Sequence, residues 1–154
     1  MGARMTSPQP YLTVASILSG FCISVFMFRI QRELGVRDRH PDWPNWLAWA
    51  DYLIVATIVL SIVFVILPLV TVPVPGPVAY SVAAGACAAA SILLLAYPFA
   101  ILDHYRIEIG RSRILRGESP QARHKGEPIE RIIVMTAGAT AAATFAAVVW
   151  LWNS

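Results

Sequence analysis

Four long stretches without a charged side chain constrain this chain more than any other feature of its sequence. They cover residues 11–28, 52–72, 78–102 and 132–152. An α-helix rises about 1.5 Å per residue and the hydrocarbon core of a bilayer is about 30 Å thick, so each stretch is long enough to cross it. Strands of a membrane barrel would instead alternate polar and apolar residues over about ten positions. We therefore predict an all-α fold, an integral membrane four-helix bundle formed by residues 1–154 as a single domain.

The composition argues against a soluble enzyme and against a nucleic-acid partner. Of the 154 residues, 57% are hydrophobic and only 14% are charged, too few to cover the surface of a globule of this size. The 12 basic residues are offset by 9 acidic ones and are separated by the long uncharged stretches. A continuous basic groove for nucleic acid is therefore not expected.

The connections between the four stretches differ in their chemistry. The second and third are joined by Pro73-Val74-Pro75-Gly76-Pro77, and proline bars continued helix, so we expect a tight uncharged turn there. Residues 29–51 and 103–131 are polar and rich in arginine, and we predict both to be loops.

The longer polar connection has a predicted organisation of its own. Its first part, residues 103–115, has a short apolar stripe and is expected to extend the third helix along the membrane surface. Pro128 favours the first turn of the fourth helix, with Glu127 and Glu130 near the positive end of that helix.

The distribution of basic residues predicts the orientation in the membrane. Eleven of the twelve Lys and Arg residues lie in the two polar loops, and only Arg4 lies on the other side. Because basic loops are retained in the cytoplasm, we expect both termini to be extracytoplasmic. Eleven arginines with one lysine and abundant alanine are typical of a GC-rich bacterial genome, so the predicted location is the inner (cytoplasmic) membrane, crossed several times.

The expected partners follow from this placement. Trp43, Trp46 and Trp49 precede the second stretch, where their rings would anchor the chain at headgroup depth in the lipid bilayer. The basic loops are expected to contact anionic headgroups at the cytoplasmic face, at about 1 kcal/mol per basic residue.

Asp, Glu, His, Lys and Arg are absent from all four stretches, which argues against coupled transport and intramembrane catalysis. Arg29, Asp51, Asp103 and Arg131 stand at the ends of the stretches, and we interpret them as interface residues or salt-bridge partners. We therefore predict no catalytic, metal or cofactor site and no enzymatic activity.

The densest polar cluster, Asp103, His104 and Arg106, follows the third stretch. We interpret it as a solvated face with ion pairing to Arg106. A metal or catalytic pair is the alternative, but neighbouring residues on a helix point about 100° apart, so Asp103 and His104 would need partners from the other loop.

Small residues recur every four positions in three of the four stretches. This spacing lets helix backbones approach closely inside a membrane, so these residues are predicted to mediate helix packing. Leucine at Gly20 or Gly85 is expected to disturb that packing. The predicted packing residues are Ser16, Gly20, Ser24, Ser81, Gly85, Ala89, Gly138 and Ala142.

These observations favour a small accessory or interaction protein that packs against itself or against a partner membrane protein. Two alternatives stay open. A homo-oligomeric pore would need a polar line on one helix, and the candidates are Thr13, Ser16 and Ser24 or Thr136, Thr140 and Thr144. A membrane-surface enzyme acting on lipid headgroups would use Asp103 and His104, with the arginine residues binding phosphate.

The orientation can be tested with reporter fusions. Alkaline phosphatase fused after Ser154 should be active and a fluorescent protein at the same position dark, because the carboxyl terminus is predicted to be extracytoplasmic. A bright fluorescent fusion with an inactive phosphatase would contradict the orientation.

Overall fold

The computed structural model describes the backbone of residues 7–39, 48–115 and 127–154, and side chains within 7–35, 48–102 and 129–154. These residues form four helices: α1 (Gln9–Arg39), α2 (Trp49–Thr71), α3 (Pro77–Leu115) and α4 (Glu127–Asn153). Each contains a segment long and apolar enough to cross a membrane. The prediction of an all-α protein with four such helices is confirmed.

The helices extend beyond the apolar stretches that identify them. α1 continues to Arg39, through residues that we predicted as loop, and α3 continues to Leu115 without interruption. The extension of α1 contains arginine, glutamine, glutamate and leucine, which favour helix. Apolar length therefore indicates where a helix could lie in a membrane, and it does not indicate where that helix ends.

α2 changes its winding halfway along. It is α-helical over Trp49–Ser61, π-helical over Ile62–Ile66 and α-helical again over Leu67–Thr71. Pro68 has no N–H to donate to the carbonyl four residues earlier, and its ring would collide with that carbonyl in a regular α-helix. The wider π-helical turn before it relieves this collision, so the helix continues beyond the proline.

α3 is the central helix of the bundle. It packs most extensively against α4, next against α2 and also against α1, while α1 packs mainly against α2. We call the end carrying residues 29–51 and 103–131 the basic end, and the end carrying Val72–Gly76 the hairpin end. One apolar core, including Leu53, Leu93 and Val134, lies towards the basic end. The other, including Val65 and Leu69, lies towards the hairpin end.

Gly85 is the point of closest approach between α3 and α4. A Cβ atom added there would lie 3.1 Å from both Cδ2 and the carbonyl oxygen of Phe145, and 3.3 Å from Cγ2 of Val149. Ser81 and Ala89 are buried one turn to either side. Asn153 Nδ2 donates a hydrogen bond to Ser81 Oγ at 3.2 Å, which joins the same two helices near the hairpin end.

The small residues of α1 lie on a different side of their helix. Ser16, Gly20 and Ser24 are exposed, and no atom lies within 4 Å of a Cβ added at Gly20. The buried face of α1 instead carries Ala15, Ser19 and Cys22. The packing line within the bundle is therefore displaced by about one residue from the predicted one.

We expect Gly85→Leu to lower the yield of folded protein in mild detergent, because the larger side chain collides with the Phe145 backbone. Overpacking of this kind costs about 1–3 kcal/mol or more. Gly20→Leu should fold as well as the wild type, which revises the expectation from sequence for that residue. The control Ile62→Leu keeps side-chain volume, and equal yields from Gly85→Leu and Ile62→Leu would contradict the close approach at Gly85.

Candidate functional site at the basic end

Arg29 forms a buried ion pair that joins α1 to α2. Its side chain is buried, with 4% of the residue exposed. Nε donates to Asp51 Oδ1 at 3.2 Å and Nη2 donates to Asp51 Oδ2 at 3.3 Å, so the guanidinium and the carboxylate meet along two parallel hydrogen bonds. The interpretation of Arg29 and Asp51 as salt-bridge partners is confirmed.

A second carboxylate lies on the other side of the same guanidinium. Arg29 Nη1 is 3.2 Å from Oε1 of Glu33, one helical turn further along α1. The angles do not satisfy a hydrogen bond, so this contact is an ion pair alone. Arg29 therefore pairs with carboxylates on two helices, α1 and α2.

Glu130 of α4 caps the start of α2. It is fully buried, and Oε1 accepts a hydrogen bond of 3.0 Å from the backbone N–H of Ala50. Ala48, the residue preceding α2, supplies no capping hydrogen bond from its own side chain. The first N–H groups of a helix need acceptors and carry partial positive charge, so a carboxylate satisfies both requirements.

This role of Glu130 was not predicted from the sequence. Glu130 stands in the first turn of α4, as expected, but its carboxylate serves the N-terminus of another helix. The available signal was the absence of Ser, Thr, Asp or Asn at position 48, which left the start of α2 without a local cap. The sequence does not show which distant residue supplies the acceptor.

Arg131 and Trp49 form a further contact between α4 and α2. The guanidinium carbon of Arg131 lies 5.4 Å from the centre of the Trp49 ring, within the range of a cation–π interaction. The ring of Tyr52 lies 5.8 Å from that of Trp49. Two successive residues of α4 therefore contact the start of α2 at the basic end: the buried Glu130 and the exposed Arg131.

An apolar groove opens between α2 and α4 beyond these contacts. Its volume is about 780 Å³, and its walls include Tyr52 and Phe64 of α2 with Gly138 and Ala142 of α4. Leu93 of α3 lies in its floor. No atom lies within 4 Å of a Cβ added at Gly138, so this glycine contributes to the width of the groove.

The polar cluster that follows the third apolar stretch falls outside the described side chains. Asp103, His104 and Arg106 lie on the extension of α3, but the positions of their side chains are not described. Among the side chains that are described, no group of three or more His, Cys, Asp or Glu residues could hold a metal ion. The interpretation of this cluster stays a prediction.

The polar lines considered for a pore face outwards. Thr13, Ser16 and Ser24 are exposed on α1, as are Thr136 and Thr140 on α4. The hydroxyls of Ser24 and Thr140 donate to carbonyls of their own helices. A pore lined by these residues would have to form between copies of the chain.

Comparisons with models of protein families, with curated proteins and with solved structures found no match for this chain.

We expect Arg29→Gln to lower the free energy of unfolding by about 3 kcal/mol, because it leaves the largely buried carboxylate of Asp51 without its partner. Asp51→Asn should lower it less, because Glu33 remains 3.2 Å from Arg29 Nη1. The double variant should lose less than the sum of the two single losses. Unfolding in mixed detergent and dodecyl sulfate measures these values. Glu33→Gln serves as a control for the half-exposed ion pair, which contributes about 0–1 kcal/mol. Additive losses would show that Arg29 and Asp51 do not interact.

Proposed function

We propose that the chain is a multi-pass protein of the cytoplasmic membrane that acts by helix association, as an accessory or interaction protein. Both termini face outwards from the cell in this proposal, and the basic loops lie in the cytoplasm. The charge distribution supports the orientation, since eleven of twelve basic residues lie in the connections at one end. The cluster of Arg29, Asp51, Glu33 and Glu130 acts as a structural clasp at that end.

The apolar exterior of the bundle supports the membrane location. Large hydrophobic side chains are exposed along every helix, for example Phe28 at 67%, Leu95 at 70% and Trp150 at 70%. A soluble monomer rarely exposes a contiguous apolar surface of this extent, whereas lipid is a favourable solvent for it.

The exposed face of α1 is the observation that carries the interaction role. Gly20 lies between Ser16 and Ser24 at the spacing that allows close approach of helices, and the space around it is open. Gly85 has the same pattern on α3, and there the space is filled by α4. The comparison indicates that α1 has a packing surface left for a second polypeptide.

A second copy of this chain is the simplest occupant of that face. Small residues on two α1 helices would meet around a two-fold axis, the commonest symmetry of homo-oligomers. A different membrane protein with its own small-residue face is the other occupant of this class.

The proposal is tested by the mass of the protein in lipid nanodiscs or mild detergent. The wild type should be dimeric, and Gly20→Leu should be monomeric and folded, since the substitution fills the contact between molecules. Gly138→Leu is the matched control, because it also enters open space but lies on α4.

Two other outcomes are decisive. A monomeric wild type would overturn self-association through α1. A closed ring of three or more copies would favour the pore instead.

A further inference from the structure

The groove between α2 and α4 has the length of one membrane leaflet. From Tyr52 to Phe64 the helix rises about 18 Å, at about 1.5 Å per residue. Half of a hydrocarbon core of about 30 Å is about 15 Å. The far end is bounded by Phe64 and Phe145, whose rings meet edge to face with centres 6.3 Å apart. The groove therefore starts near the basic end and stops near the middle of the bundle.

A cation and two aromatic rings stand at the near end of this groove. Arg131 is exposed and lies one turn before Val134, which lines the groove. Its guanidinium rests on Trp49, and Trp49 contacts Tyr52. The charge of Arg131 lies at the basic end, where a membrane-spanning bundle would meet lipid phosphates.

We propose that this groove binds one anionic phospholipid, with an acyl chain between α2 and α4 and the phosphate at Arg131. This inference rests on the membrane location and orientation proposed above. The volume of about 780 Å³ lies within the range of about 300–1,000 Å³ that is usual for ligand sites. The apolar walls match a hydrocarbon chain, and Arg131 matches the charge of the headgroup.

The shape of the groove favours a lipid over a helix of another protein. A helix that crosses the membrane would need a surface running the full length of the bundle. The lining of the groove runs only from Tyr52 to Phe64 on α2 and from Val134 to Phe145 on α4, so the groove does not run the length of the bundle. An acyl chain anchored at the interface needs only the enclosed length.

Titration of the detergent-purified chain with single lipids, followed by native mass spectrometry, tests the proposal. The probes are dioleoyl phosphatidylglycerol and dioleoyl phosphatidylcholine, which share their acyl chains and differ in net charge. We expect one phosphatidylglycerol per chain, bound about fivefold more tightly than phosphatidylcholine, as about 1 kcal/mol per basic residue implies.

Two variants separate the headgroup contact from the chain contact. Arg131→Gln should abolish the preference for phosphatidylglycerol, whereas Arg32→Gln on α1 should retain it. Gly138→Leu should weaken the binding of both lipids about tenfold, because it excludes about two methylene groups of the acyl chain from apolar contact. Ala143→Leu is its control, because Ala143 is exposed on α4 away from the groove.

Equal affinity for both lipids in the wild type, or undiminished binding by Gly138→Leu, would overturn the proposal. The proposal would also be overturned if a second copy of the chain, and not lipid, bound in the groove and this binding were lost in Gly138→Leu. These outcomes are distinct from failure of the proposed function, which is read from the effect of Gly20→Leu on the mass of the assembly.

Discussion

The hydrogen bond from the Ala50 amide to the carboxylate of Glu130 joins positions 80 residues apart, and the basic end is organised around it. α2 begins without a side-chain cap of its own, so the amide of the buried Ala50 would be unpaired without Glu130. Glu130 in turn is fully buried, and a carboxylate is stable there only where donors surround it. Each group therefore requires the other. Their contact docks the α3–α4 pair against α2, with Arg29 and Asp51 holding α1 to the same end.

The helices can be predicted from the sequence because apolar length depends on consecutive residues. The contacts between helices are harder to predict, because they join residues that are far apart in the sequence. Apolar length is a property of consecutive residues, so all four helices could be identified, and Gly85 followed from its spacing. The face of α1 that packs inside the bundle could not be predicted, since Ala15 and Ser19 form a second line of small residues beside Ser16 and Gly20. The capping partner of α2 could not be predicted either, because Glu130 becomes its neighbour only after the bundle has formed.

The two surfaces left open by the bundle have different chemistry. The exposed face of α1 is narrow and carries small residues, which suits the close approach of another helix. The groove between α2 and α4 is wider, is bounded at both ends and has Arg131 at one of them. In the account proposed here, α1 contacts protein while the groove holds lipid, and the clasp at the basic end supports both. Glu130 and Arg131 are adjacent in sequence. The contact of Glu130 with α2 therefore also fixes the part of α4 that carries Arg131.

Hydrogen exchange at the Ala50 amide tests this account most directly, because that proton is the one Glu130 holds. In the wild type it should exchange about two- to thirtyfold more slowly than in Glu130→Ala, as expected for a cap that contributes about 0.5–2 kcal/mol. The Thr57 amide, two turns into α2, should change much less, and Glu33→Gln should leave the Ala50 amide protected. Equal exchange of the Ala50 amide in the wild type and in Glu130→Ala would show that the carboxylate does not cap α2 and would contradict the central claim.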